Sequence, residues 1–170
     1  MTGYHANDRE RCERFINEKS YIIDSAEDTD YLGRGMYFWD NMSQAEWWLK
    51  TKKKDAVVSA ELNLDCVLDL TQKEIADQMA ELYKMIPEAF IQKYIIVYGC
   101  LDELLGIRLN ILFESFAELK SNFNVVKAQR SYPRKAESEF LKKTKLTSQT
   151  VSIYCAKTAA PIGERKWCKK

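Results

Sequence analysis

Between residues 56 and 120 the hydrophobic pattern changes its period, and that change limits the fold more than any other feature of the chain. Over Ala56 to Leu64 the side chains alternate. Val58, Ala60, Leu62 and Leu64 fall on one side, and Ser59, Glu61 and Asn63 on the other. A period of two marks a half-buried strand. Val67 to Leu70 continues this strand or begins a short new one. The period then lengthens. Thr71-Gln72-Lys73-Glu74 has the form of a capping box, and Ile75, Met79, Leu82, Tyr83 and Ile86 follow at helical spacing until Pro87 ends the run. A second apolar helix is predicted from Glu88 to about Tyr98. A third covers Asp102 to Lys120, with Leu104, Leu105, Leu112, Phe116 and Leu119 as its core stripe. A strand-rich frame carrying a helical insertion at about 71–120 belongs to the α+β class.

The flanks supply the rest of the frame. A short strand is expected around Gly3 to Ala6. Asn7 or Asp8 then caps a helix running to about Asn17, with Cys12, Phe15 and Ile16 on one face. Tyr21-Ile22-Ile23 reads as a short extended piece, Asp24 to Asp30 as a polar loop, and Met36 to Trp39 as a compact apolar strand. Ser43-Gln44-Ala45-Glu46 is another capping box. A helix from there puts Ala45, Trp48 and Leu49 on one face, and Lys50 to Asp55 follows as a charged turn. Asn124-Val125-Val126 and Val151 to Cys155 read as further strands. With 6 Gly, 3 Pro, no repeat and no low-complexity tract, residues 1–170 read as one domain.

Several function classes are disfavoured at this stage. The net charge is +1, so overall charge neither requires nor excludes a nucleic-acid target. Residues Met1 to Asp8 form no signal peptide, and a cytoplasmic location is expected. The longest apolar run, Tyr94 to Leu101, falls well short of the roughly 20 residues that span a bilayer. The 5 cysteines form no CxxC pair and the chain has 1 histidine, so neither a zinc ligand set nor a Cys–His nucleophile is expected. Cysteines of this kind are expected to be reduced and mostly in the core.

Chemistry is carried by a combination of short motifs. Tyr4-His5 comes first, then Gly33-Arg34-Gly35-Met36-Tyr37-Phe38-Trp39, then the capped helix that delivers Trp48. Singly, each has an ordinary reading: a structural histidine, a tight turn, a core tryptophan. Jointly they resemble the ADP-ribosyltransferase superfamily of the diphtheria-toxin and poly(ADP-ribose) polymerase type, whose signature triad is His-Tyr-Glu. Its members open with Tyr-His-Gly-Thr or a close form, similar to Tyr4-His5-Ala6-Asn7. They carry a Gly-x-Gly-Ile-Tyr-Phe strand, similar to Gly33 through Phe38, and a second aromatic about eleven positions after the tyrosine, where Trp48 stands. The likeness covers residues 3 to 50 well and the C-terminal part weakly.

The resemblance implies a split β-sheet core and NAD as substrate, with no metal. Transfer of ADP-ribose from NAD requires that the nicotinamide be clamped while an oxocarbenium-like centre is stabilised, commonly by a carboxylate. By resemblance, His5 would bond a ribose hydroxyl and Ala6 would pair its backbone with the carboxamide. Gly35 would belong to the cofactor-binding strand, and Tyr37 and Trp48 would sandwich the ring. A serine that often helps bind the carboxamide is replaced here by Ala45. Arg134-Lys135-Ala136-Glu137-Ser138-Glu139-Phe140-Leu141 resembles the Ala-Glu-Phe-Leu stretch of DNA-modifying toxins of this superfamily, which makes Glu139 the catalytic carboxylate with Glu137 beside it. A rival alignment puts the third position at Gln149.

Arg130, Tyr132, Arg134 and Glu137 are the candidate acceptor-binding residues. Lys127, Lys135, Lys142, Lys143, Lys145 and Tyr154 lie near them in sequence. Basic and aromatic side chains suit a phosphate-bearing acceptor, DNA or RNA. A protein side chain is the alternative acceptor, and a catalytically inactive NAD-fold binding module the alternative class. By resemblance to compact bacterial toxins of toxin–antitoxin or phage-defence systems, an antitoxin or chaperone partner is implied, and no membrane.

Overall fold

In the computed structural model, residues 1–25, 31–98, 104–131 and 150–169 are described. The chain runs β1 (Thr2–Asn7), α1 (Arg9–Asn17), β2 (Met36–Trp39), α2 (Met42–Thr51), β3 (Ala56–Leu62), β4 (Val67–Asp69), α3 (Lys73–Lys84), α4 (Glu88–Tyr98), α5 (Leu105–Ser115), α6 (Ala117–Asn122), β5 (Val125–Ser131), β6 (Thr150–Ala156) and β7 (Ile162–Lys169). The class is α+β, with the strands in one sheet of order β4-β5-β6-β2-β1-β3-β7. Among the described residues every strand pairing is antiparallel except β4 with β5. Parallel neighbours need a long crossover, and the insertion α3 to α6 lies in the chain between these two strands.

The sheet is covered on both faces, so β3 is not the half-buried strand that its alternation predicts. Six of its seven residues are buried, and the exception is Glu61. Ala56, Val58, Ala60 and Leu62 pack with Cys12 and Phe15 of α1 and with Met36 and Phe38 of β2. Val57 joins the opposite core with Ala6, Trp39, Ala45 of α2, and Ile107, Leu109, Ile111 and Leu112 of α5. Burying one such large apolar side chain contributes about 1.5–3 kcal/mol, so two packed faces outweigh the polar character of Ser59, which is itself only 6% exposed.

Helix boundaries depart from the sequence reading where polar side chains choose other partners. α2 is capped by Asn41, whose Oδ1 accepts from Gln44 N at 3.0 Å, and Ser43 donates to that same oxygen. The Thr71 hydroxyl donates to Asp69 Oδ1 at 2.6 Å and does not cap α3. Asp8 is the α1 cap residue, without a side-chain bond to the helix. The third predicted helix is two helices, because Phe116 is extended (φ −122°, ψ 106°). α5 is buried at Gly106, Ile107, Leu109, Ile111, Leu112 and Phe113, well beyond one stripe, while Leu105 is exposed. Tyr21 to Ile23 joins no strand. Of the four cysteines described, Cys12 and Cys155 are buried, whereas Cys66 and Cys168 are exposed.

Arg165 of β7 ties the end of α1 to the sheet. Its guanidinium donates to the carbonyls of Phe15 (2.6 Å), Glu18 (2.8 Å), Tyr21 (3.1 Å) and Lys19 (2.5 Å), and it lies 4.2 Å from the centre of the Phe15 ring. A helix C-terminus leaves carbonyls without intrahelical donors; this cation supplies a donor to Phe15 in the last turn and to the cap residue Glu18, and holds the following Lys19 and Tyr21 as well.

Candidate functional site

β1 and β2 are neighbours in the middle of the sheet, yet they register through a single pair, Tyr4 with Trp39. Beside that pair a side chain joins the strands. His5 Nδ1 lies 2.6 Å from the Tyr37 carbonyl oxygen, and Nε2 lies 3.2 Å from Nδ2 of Asn7. A carbonyl only accepts, so Nδ1 carries the proton. Asn7 Oδ1 already accepts from Asp8 N at 2.9 Å, which turns the Asn7 amide nitrogen toward His5 as a donor to Nε2. The tautomer is thereby fixed. The ring is 9% exposed and tilts against Phe38. Burial, aided by the charges of Lys54 and Arg11 and opposed by the bond to Tyr37, brings its pKa down to about 4, so it is neutral at pH 7.

Tyr37 is anchored by its hydroxyl, which donates to Gly33 O at 2.6 Å and accepts from Leu32 N at 2.9 Å. The turn so gripped needs its glycines. Gly33 has φ +71° and Gly35 φ +144°, a region that other residues rarely enter. A Cβ on Gly35 would lie 2.6 Å from both Cys155 Sγ and Ala156 O. Lys157 Nζ donates to Leu32 O (2.6 Å) and Arg34 O (2.8 Å), and Arg34 N donates to Asn110 Oδ1 at 2.8 Å.

His5, Ala6, Tyr37 and Trp48 line one cavity of about 110 Å³. An apolar cavity of about 150 Å³ holds a benzene molecule, so this space is on the scale of a single ring. Gly35 does not line it. Its carbonyl instead accepts from the N and Oγ of Ser25 (3.0 and 2.6 Å), and Ser25 does line it. Sequence reasoning missed one aromatic wall, Tyr31, and one cation, Lys54, which pairs with Asp8 at 2.8 Å, and it gave no role to Trp39, a further aromatic wall inside the glycine motif. Trp39 packs 5.8 Å from Trp48, and Lys52 sits 5.1 Å over the Trp48 ring. Larger cavities of about 410 and 300 Å³ lie elsewhere, and neither contains a residue of the three motifs except Arg34.

Of the candidate acceptor residues, Arg130 is the one described. It lies on β5, donates to the Tyr31 hydroxyl and stacks 5.3 Å from that ring. Tyr132, Arg134, Glu137, Glu139 and Gln149 lie outside the described residues, as do Lys135, Lys142, Lys143 and Lys145. Lys127 is on β5 and is paired with Asp69 of β4 at 2.7 Å, which holds its ammonium above the usual lysine range. Tyr154 is 7% exposed and belongs to the core, so its ring offers no stacking surface. No carboxylate lines the cavity, and no cluster of metal-ligating side chains occurs, among the described residues. No helix among them is long and apolar enough to cross a membrane.

The geometry therefore offers a ring-sized slot with aromatic walls, a neutral imidazole of fixed tautomer, and a cation at its edge. A protein of Methanocaldococcus jannaschii described only as uncharacterized is 26% identical over 195 residues, spanning 98% of this chain and 86% of its own length. No family model and no solved structure matches the chain.

Proposed function

We propose that the protein is an NAD-dependent ADP-ribosyltransferase that passes ADP-ribose to a macromolecular acceptor, nucleic acid foremost, and releases nicotinamide. One observation carries this reading. Four residues singled out by motif, His5, Ala6, Tyr37 and Trp48, come from three separate elements and line one ring-sized cavity. On this reading the sheet, held by one registered pair where β1 meets β2, corresponds to the split core of an ADP-ribosyltransferase fold. The nicotinamide ring enters the cavity between aromatic walls. His5 bonds a ribose hydroxyl as a neutral imidazole, and the Ala6 backbone meets the carboxamide. Glu139 supplies the carboxylate beside the cationic sugar carbon, and Arg130 with Tyr132, Arg134 and Glu137 meets the acceptor. The reaction needs no metal. The setting is a cytoplasmic toxin held in check by an antitoxin or chaperone.

Incubation with NAD labelled in its adenylate and with cell extract tests the reading. Release of nicotinamide, with label lost on nuclease treatment, is expected. Label removed by protease instead would name a protein acceptor. Absence of both NAD turnover and label transfer would leave a non-catalytic binding module. Retained turnover in both Tyr37→Ala and Glu139→Gln would sink the site assignment.

A further inference from the structure

We propose that Tyr31 is a positioning residue of the ring cavity, held in place by Arg130. The inference rests on the reading of that cavity as the nicotinamide site, and no sequence motif points to it. Tyr31 stands edge-on to both clamping rings. Its centroid is 6.5 Å from Tyr37 at an interplanar angle of 71°, and 6.4 Å from Trp48 at 76°. Edge-to-face contact places the positive rim of one ring on the negative face of another. Tyr31 thereby fixes the planes of both clamping rings and forms a wall of the same cavity.

Two devices hold Tyr31 where it is. On the chain side, it immediately precedes the turn gripped by the Tyr37 hydroxyl, Lys157 and Asn110. On the other side, Arg130 donates to its hydroxyl and covers its ring. Arg130 is an exposed residue of β5, three strands from β1 in the sheet order. The pair thus links a strand remote from His5 to the wall against which the ring is seated. A wall prepared before the ligand arrives spares the ordering of a side chain on binding.

The test compares Tyr31→Phe, Tyr31→Ala, Arg130→Ala and the Tyr31→Phe/Arg130→Ala double variant in the full chain. NAD binding is followed by tryptophan fluorescence, and nicotinamide release gives KM and kcat. Tyr31→Ala is expected to raise KM for NAD about tenfold, the scale of one aromatic wall, with kcat within about twofold. Tyr31→Phe keeps the ring and loses the acceptor of the Arg130 bond, so it and Arg130→Ala should each raise KM about threefold. The double variant should be no worse than either, the signature of one shared contact. Additive effects of Tyr31→Phe and Arg130→Ala, or an unchanged KM in Tyr31→Ala while the wild-type chain turns NAD over, would overturn the proposal and leave the nicotinamide reading standing. Failure of the wild-type chain to bind NAD would overturn both.

Discussion

His5 reaches across the β1–β2 seam to the Tyr37 main chain: Nδ1 and the carbonyl oxygen are 2.6 Å apart. This single bond joins the two residues that the motif reading placed in one site. It also fixes the tautomer, with Nε2 left to face the Asn7 amide, while burial, against which this bond works, keeps the imidazole neutral.

Stability should therefore depend on pH through His5. An unfolded imidazole titrates near 6.5, whereas the folded one stays neutral down to about 4. Between these values the unfolded state binds more protons, so stability falls as pH drops from about 6.5 toward 4 and levels off below. The ceiling is about 3 kcal/mol, from roughly 1.4 kcal/mol per pKa unit. Urea unfolding at pH 7 and pH 4.5 should show this loss in wild type and a smaller one in His5→Gln, since background carboxylates titrate alike in both. Equal losses would refute it.

The Tyr37 hydroxyl and the Tyr37 ring should separate by mutation. Tyr37→Phe leaves Leu32 N and Gly33 O without their partner, at about 1–3 kcal/mol, but keeps the ring wall. Thermal melting should register that loss while NAD affinity shifts by less than Tyr37→Ala shifts it.

Gly35→Ala should be among the most damaging single-methyl changes available. The substitution combines φ +144° with contacts of 2.6 Å to Cys155 Sγ and Ala156 O. Backbone strain of about 1–3 kcal/mol adds to overpacking of similar size. Gly163→Ala is the control, because its new Cβ would meet nothing nearer than 3.4 Å. Denaturant midpoints should drop sharply for the first variant and little for the second.

Arg165→Met keeps the aliphatic stem and deletes the donors to the carbonyls at the end of α1. Each charged hydrogen bond contributes about 1.5–3 kcal/mol, and water replaces part of it at this partly exposed site, so a net loss of about 2 kcal/mol is expected. Helical circular dichroism should fray before the global transition. An unchanged melting curve would deny Arg165 its capping role.

What could be read from sequence follows from how local each signal is. β2 was legible to the residue because an apolar run of four stands just after a turn rich in glycine. His5, Ala6, Tyr37 and Trp48 were singled out by a family resemblance carried on short motifs, and the fold sets all four around one cavity. Tyr31 was not singled out. It ends an acidic stretch with no periodicity, and only tertiary folding sets it against Tyr37 and Trp48. β7 escaped notice because it is an edge strand with Ile162 as its one buried residue. The break at Phe116 is hidden by apolar spacing that runs on through it. The pairing of Lys127 with Asp69 joins residues 58 positions apart, and no window along the chain contains both.

Arg165 also bears on the order in which the molecule is assembled. Its bonds to Phe15, Glu18 and Tyr21 span 150, 147 and 144 positions. A growing chain must reach residue 165 before the end of α1 acquires these donors, so that end waits for the 150 positions that separate Arg165 from Phe15 to be made. Contacts of that separation slow folding, and they make completion of β7 the event that locks α1 to the far edge of the sheet.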